Sequence, residues 1–468
     1  MHQIKQSARA LALCAIGAFA LAGAPARAAP SAEQARAAAM DALLRQTFKP
    51  DQAGAAVLVQ QNGKVLFSRG YGLASLELRV PVKADSVFHV ASVSKQFTAA
   101  AILRLAEQGK LDVAAPVSRY LADTPPAWAG ITLEHLLTHT SGIDNLFNDA
   151  QFRQRVREDL TPAQLLAEAA KRELLAAPGA RFQYASVNYS ILGMVVAKLS
   201  GIPYDKYVGE QFLRPLGMTH THFDVEHGVI AGQASPYEEG PIPAHYISPS
   251  LGYAAGSFFS SNADIARWSE ALAAGKVLSK TSLAAMNTAY KTSDGGDTHY
   301  GYGMRVHRSL GQPYLQSNGD IFGFHAETVR LPQAGLFVSI LHNSDEHAGE
   351  LGPLAKRLAA IAIGQAISPL PKKALAPAGA APLVGRYEAG GKPRTISYTN
   401  GQLFSEVPGF PPGKIHPLSA TEFFFDDNDD ARLEFVFKDG KAVALKRYDL
   451  DREPWPTYTR ATQDTSSL

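Results

Sequence analysis

Residues 55–71, AAVLVQQNGKVLFSRGY, hold two apolar, β-rich runs separated by Asn62-Gly63. A two-residue turn needs positive φ at both central positions, which Asn and Gly tolerate, so this stretch predicts a hairpin. From Ser92 to about Gly275 the pattern changes to helical spacing punctuated by Pro and Gly, as in LLAEAAKRELLAAPGARF. Strand character returns at YGYGMRV and at GFHAETVRLPQAGLFVSILHNS, where Gln333-Ala334-Gly335 turns one apolar run into the next. The stretch AGELGPLAKRLAAIAIGQA closes the unit as an amphipathic helix. Strands at both ends of a helical middle predict an α/β fold. An antiparallel sheet built from the two chain ends carries flanking helices and a helical lobe, with a cleft between sheet and lobe.

After Ile367 the pattern breaks again. Residues 368–382, SPLPKKALAPAGAAP, read as a linker with partly extended backbone. Beyond it, RTISYTNGQLFSEV and RLEFVFKDGKAVALKRY predict hairpins turning at Asn400-Gly401 and Asp439-Gly440. Residues 383–468 are therefore expected to form a small all-β domain, sandwich or barrel. The acidic cluster Asp426, Asp427, Asn428, Asp429, Asp430 lacks the Gly and Glu that a calcium loop would place at 431 and 437, where the chain has Ala and Phe. It reads as a solvated loop.

The amino terminus needs separate treatment. Lys5 and Arg9 precede an apolar stretch from Ala10 to Gly23 and the small-residue pattern Ala26-Arg27-Ala28, which predicts a signal peptide over residues 1–28. The stretch is shorter than the roughly 18 apolar residues a spanning helix needs. Cys14 follows Leu13, where a lipid-attachment site wants a small residue. The expectation is export, to periplasm or medium, without a stable membrane anchor, and a first folded unit over residues 29–367. Cys14, the only cysteine, would leave with the signal, so no disulfide is available. Losing Lys5, Arg9 and Arg27 leaves 42 basic against 43 acidic residues, a balance unlike the basic footprint of a nucleic-acid binder. Oligomeric state is not legible.

Candidate chemistry centres on VFHVASVSKQFTAAAILRLAEQGKL, residues 87–111. Residues three apart on a helix share a face, so the Lys95 amine comes within reach of the Ser92 hydroxyl. A serine at a helix start can serve as an N-cap and a lysine there can extend to water, so Ser-x-x-Lys alone is a weak signal. The rest of the run is apolar nearly all round, which predicts a helix through the centre of the protein. An amine at its mouth is partly desolvated. Desolvation disfavours the charged form of an amine, and a neutral amine beside a hydroxyl can take its proton and create a nucleophile. The helix start adds a favourable field for an oxyanion forming there.

An ordered set of stretches extends this reading: FHVASVSKQFTAAAILRLAEQGKL, ITLEHLLTHTSGI, PGARFQYASVNYSILG, FLRPLGMTHT and YGYGM. In that order and spacing the chain, over most of residues 50 to 365, resembles the serine hydrolases of the penicillin-binding protein and class C β-lactamase family, with its D-amino-acid peptidase and esterase relatives. The resemblance implies Ser92 as the acylated nucleophile, Lys95 as its partner and Tyr184 as a proton relay. The family's Tyr-x-Asn falls at Tyr184-Ala185-Ser186, so the asparagine is replaced and Ser186 becomes a shorter substrate contact. Asn188 is expected to be structural. The third element, usually Lys or His, then any residue, then Gly, aligns with Ser317-Asn318-Gly319, which implies substrate contacts at Ser317 and Gly319. The N–H groups of Ser92 and Asp320 are the implied oxyanion hole. The missing cation at Ser317 leaves His325 or Arg305 to compensate. The last domain resembles the lipocalin-like β modules that some of these hydrolases carry.

His135 and His139 stand four apart, and His220 and His222 two apart, yet no His-Glu-x-x-His order occurs, so no metal or other cofactor is expected. No Gly-x-Ser-x-Gly pentapeptide surrounds any serine. The resulting expectation is an exported serine hydrolase that acts through an acyl-enzyme on amides or esters of small acyl or D-amino-acid type. D-Ala-D-Ala-type peptidase, β-lactamase and carboxylesterase remain open, and so does a catalytically weak protein that binds peptidoglycan fragments. The substrate is expected to be a small molecule or peptide, cell-wall-derived material included. The two altered elements point towards short-acyl esters or neutral D-amino-acid amides rather than free carboxylates.

Overall fold

The computed structural model describes residues 31–461 apart from 224–227, 366–369, 390–391, 409–411, 427–430 and 450–456. The expected signal peptide and Asp427, Asn428, Asp429 and Asp430 lie outside the described residues.

Strand β1 (Ala55–Gln61) explains the layering of the first unit. Side chains alternate across a strand. Ala55, Val57 and Val59 enter one core with Met40 and Leu44 of helix α1 (Ala32–Thr47), while Ala56 and Leu58 enter the other. A strand covered on both faces has to be apolar at every position, which is why AAVLV shows no alternation. Its neighbour β2 (Lys64–Tyr71) follows a turn with Asn62 at φ 50° and Gly63 at φ 78°, the predicted hairpin. Four strands from the far end of the unit complete the sheet: β3 (Arg305–Ser309), β4 (Gln312–Ile321), β5 (Phe324–Leu331) and β6 (Leu336–His342). The order is β2-β1-β6-β5-β4-β3, antiparallel throughout. The start and the end of this first unit thus meet at the β1–β6 seam, as the fold class requires.

Helix α1 begins in a Ser31–Gln34 capping box and packs on one face of the sheet beside the closing amphipathic helix, Leu351–Ala362. On the other face, helix α2 (Lys95–Glu107) runs through the larger core, with 10 of its 13 residues buried. Helix α3 (Ser186–Ser200) packs across α2 within the helical lobe and ends at Gly201, whose left-handed φ of 76° suits glycine.

The C-terminal domain is a closed eight-stranded barrel, which decides between the two all-β alternatives. Closure pairs the last strand, Tyr458–Arg460, with the first, Gly385–Ala389, and leaves no open edge. Tyr387, Ile396, Leu403, Phe423, Leu433 and Phe435 fill its core. The two predicted turns have positive φ at Asn400, Gly401, Asp439 and Gly440. Part of the expected linker is packed: Pro377–Ala380 forms a helical turn, and Ala380 enters the barrel core with Leu375 against it. Asp426, from the acidic cluster, accepts bonds from Lys372 at 2.8 Å and His416 at 2.6 Å. Among the described residues no helix is long and apolar enough to cross a membrane.

Candidate active site

Ser92 lies in a short 3-10 turn, Ala91–Ser94, and the α-helix itself begins at Lys95. The expected helix start is therefore one turn tighter, and side chains three apart in a 3-10 turn lie over one another. Ser92 makes no capping bond. Lys95 Nζ donates to Ser92 Oγ at 2.9 Å and to the Ala255 carbonyl at 2.8 Å. Tyr184 Oη donates to the same Ser92 Oγ at 2.8 Å. Lys95 is 1% exposed and sits over the rings of Tyr184 and Tyr189, 5.0 and 5.6 Å from their centroids. A buried amine thus has a hydroxyl, a carbonyl and two aromatic faces around it, which together offset the loss of water.

The carbonyl has an origin that no sequence signal announced. Helix Pro249–Gly256 is interrupted at Tyr253, with φ 35° and ψ −126°. Beyond the break the carbonyls of Ala254 and Ala255 are taken by side chains of α2: Thr98 Oγ1 reaches the first at 2.6 Å and Lys95 Nζ the second. A break in the helical ladder frees carbonyls for such partners.

Strand β4 approaches the nucleophile by its backbone. A Cβ on Gly319 would lie 2.1 Å from the Val90 carbonyl and 3.0 Å from the Ser92 nitrogen, so only glycine fits. This close approach brings the backbone of residues 319–320 to the Ser92 N–H, where the expected oxyanion hole belongs. Asp320 lines the same cleft. The cleft measures about 500 Å³ and includes Ser92, Tyr184, Ser186, Asn145, Arg305 and His325 in its walls.

Ser317 is placed differently from the expectation. It is 6% exposed and lines a small crevice with Gln96 and Thr328, outside the walls of the cleft. Alternation along β4 accounts for this, because Asn318 and Asp320 face outward and Ser317 inward. Of the two proposed compensating cations, Arg305 lies in the cleft without a hydrogen-bond or ion-pair partner among the described residues. His325 is engaged: Nδ1 meets Asp320 Oδ1 and Nε2 meets Asp345 Oδ1, both at 2.8 Å. Both ring nitrogens must donate, which makes the ring an imidazolium. Burial opposes that charge, but the two carboxylates more than reverse it and raise the group from 6.5 to about 9. Burial likewise opposes the Asp345 carboxylate, while His325 and the Gly323 N–H hold it below its usual range.

Ser186 opens helix α3, and its N–H donates to Asn145 Oδ1 at 3.4 Å. Asn145 went unnoticed in the sequence because the stretch ITLEHLLTHTSGI stops two residues short of it; in the cleft it supplies the carboxamide that Ser186 lacks. Asn188 is fully buried, accepts from Ser141 Oγ at 3.0 Å and belongs to the scaffold, as expected. Of the histidine pairs, His135 Nδ1 accepts the Thr132 N–H within a capping box, and the His220 backbone N–H donates to Asp264. Among the described residues no group of three or more His, Cys, Asp or Glu side chains could hold a metal.

A nucleophile with two side-chain partners able to exchange its proton, beside an open cleft, is equipped for acyl transfer. The comparisons with known proteins agree. The family model described as Beta-lactamase matches residues 40–362. The protein PbpX of Bacillus subtilis (strain 168), named as a candidate penicillin-binding protein, is 30% identical over 321 residues, 65% of this chain and 74% of its own length. A D-stereospecific amidohydrolase from Streptomyces sp. superposes with a TM-score of 0.60 at 26% identity, covering 70% of this chain and 99% of that one. The octameric penicillin-binding protein homologue from Pyrococcus abyssi shares the fold with a TM-score of 0.64 at 23% identity, over 90% of this chain and 99% of its own. That coverage takes in the barrel as well as the first unit.

Proposed function

The chain belongs to the β-lactamase family of serine hydrolases, and on that premise we propose that it cleaves amide or ester bonds of small acyl or D-amino-acid substrates through an acyl-enzyme at Ser92. One observation carries the reading: Ser92 Oγ sits at hydrogen-bond distance from both Lys95 Nζ and Tyr184 Oη. In acylation Ser92 Oγ bonds to the carbonyl carbon and gives its proton to the Lys95–Tyr184 pair, and the developing oxyanion takes the N–H groups of Ser92 and Asp320. The bond to the leaving amine or alcohol breaks as that group takes a proton from the pair. Water then attacks the ester, releases the acid and restores the serine.

The charges of the cleft narrow the substrate. Arg305 supplies a cation to meet a carbonyl or carboxylate, so the expected discrimination against free carboxylates no longer follows from Ser317. Asp320, His325 and Asp345 together carry one net negative charge, a setting that favours a substrate ammonium. Phe147, Ile247, Leu251 and Ile321 add apolar wall for a side chain or acyl group. D-amino-acid amides and esters combine these features, and export through the N-terminal signal would place the enzyme beside cell-wall peptides that contain D-amino acids. Hydrolysis of D- and L-amino-acid amides, p-nitrophenyl esters and nitrocefin should be compared with Ser92→Ala as control. The reading requires D-amino-acid amides or short esters to be turned over and the variant to be silent. Wild-type turnover no faster than the variant's on all of them would favour the binding protein instead.

A further inference from the structure

Of the candidates the molecule offers, one histidine stands out because the proposed chemistry does not use it. His139 is fully buried, adopts a left-handed backbone with φ 54°, and has Nε2 without a hydrogen-bond partner among the described residues. Apart from Tyr300, the aromatic rings around it, those of Phe182, Tyr184 and Tyr189, belong to one segment. The N–H of Gln183 donates to the His139 carbonyl at 2.7 Å, and the N–H of Ala185 donates to His139 Nδ1 at 3.3 Å. These two bonds bracket Tyr184 on both sides. The imidazole also lies against the Tyr184 ring, with centroids 4.2 Å apart. Asn188 Nδ2 shares the Nδ1 lone pair at 3.3 Å and is held in turn by Ser141.

We propose that His139 is the positioning residue for Tyr184: it grips the backbone before and after the tyrosine and backs its ring, and so fixes the phenol on Ser92 Oγ. The inference rests on the reading of Tyr184 as a proton-transfer group. An Nδ1 that accepts the Ala185 N–H must be unprotonated, which leaves the proton on Nε2 and the ring neutral. Burial enforces this, and the nearby cations Lys95 and Arg305 push in the same direction. The strained φ fits the same role, because a left-handed residue lets backbone carbonyl and ring reach a single neighbouring segment together.

The test is a double-mutant cycle on p-nitrophenyl acetate hydrolysis, with the near-ultraviolet dichroism of each variant as a fold control. His139→Phe keeps a ring face and loses the acceptor; kcat should fall about 10- to 100-fold with little change in KM, the scale of a misplaced catalytic group. In the Tyr184→Phe background the same change should cost less than about threefold, because its target is already gone. His139→Asn keeps an acceptor, tolerates the left-handed backbone and loses the ring face, so it should fall about threefold to tenfold and again only when Tyr184 is present. Equal losses in both backgrounds, or wild-type kcat in the single variants, would overturn the proposal. If His139→Phe fails to fold, His139→Asn carries the cycle by the same criteria. Wild-type kcat in Tyr184→Phe alone would instead remove the parent reading of Tyr184, and the positioning role with it.

Discussion

The barrel and the Ser92 corner both bury polar side chains, and they do so to opposite ends. In the barrel, polar groups close on one another. Arg394 reaches Ser405 Oγ at 2.6 Å, while Arg460 donates to the carbonyls of Pro382 at 3.0 Å, Ala442 at 2.9 Å and Val384. Around Ser92, the buried Lys95 amine and the half-buried Tyr184 hydroxyl converge on one oxygen that still faces an open cleft. Although Arg394 Nε is buried without a partner among the described residues, the same chemistry of polar groups bonded away from solvent gives a scaffold in one place and a reactive atom in the other. What separates them is whether the last acceptor in the network is enclosed or left accessible to substrate.

Substitutions can break that contrast from either side. Lys95→Ala should cut hydrolysis by at least about 10⁴-fold, since nucleophile and base act as a unit. Steady-state rates at neutral pH provide the check, and full activity would refute the pairing. Tyr184→Phe should lower kcat about 10² to 10⁴-fold with a smaller change in KM, the range for a lost proton-transfer group. On the barrel side, Arg460→Ala strips donors from three carbonyls and should lower unfolding free energy by about 1 to 3 kcal/mol. Denaturant titration would show this, while kcat/KM of the folded enzyme stays at the wild-type value. A smaller effect is expected inside the cleft. Arg305→Gln should reduce any preference for carboxylate-bearing over neutral substrates by up to about tenfold, which corresponds to roughly 1.4 kcal/mol.

A separate effect concerns pH. His325 is held protonated in the fold to about 9 against an ordinary value of 6.5, so its charge stabilises the folded state. A raised folded-state value means the contribution is complete below 6.5 and is lost as pH rises through about 9. The stability advantage of wild type over His325→Gln should therefore shrink between pH 6.5 and pH 9, measured as urea midpoints. An advantage that grows with pH would mean the ring is neutral.

The architecture was legible because hydrophobic period reports burial, and burial is what a sheet between two helical layers and a barrel impose. The hairpins at Asn62-Gly63, Asn400-Gly401 and Asp439-Gly440 were legible because few residues accept positive φ. Ser92, Lys95 and Tyr184 could be located because the first two lie one turn apart and the third sits in a recognisable stretch. Ser317 could not be placed, because β4 alternation decides which of its residues face the cleft and the strand's register depends on β5. The Ala255 carbonyl was invisible for a different reason: a backbone break at Tyr253 has no composition signature. Asn145 and the His139 bracket are long-range in the same sense, since their partners lie about forty residues away and only folding brings them together.

The central claim is that the accessible atom of this network is Ser92 Oγ. Intact-mass and peptide mass spectrometry after incubation with a fluorophosphonate tests it directly. A single adduct on the peptide carrying Ser92, absent in Ser92→Ala and slowed in Lys95→Ala and Tyr184→Phe, is the predicted result. An adduct on another residue, or unimpaired labelling and turnover in Ser92→Ala, would contradict it.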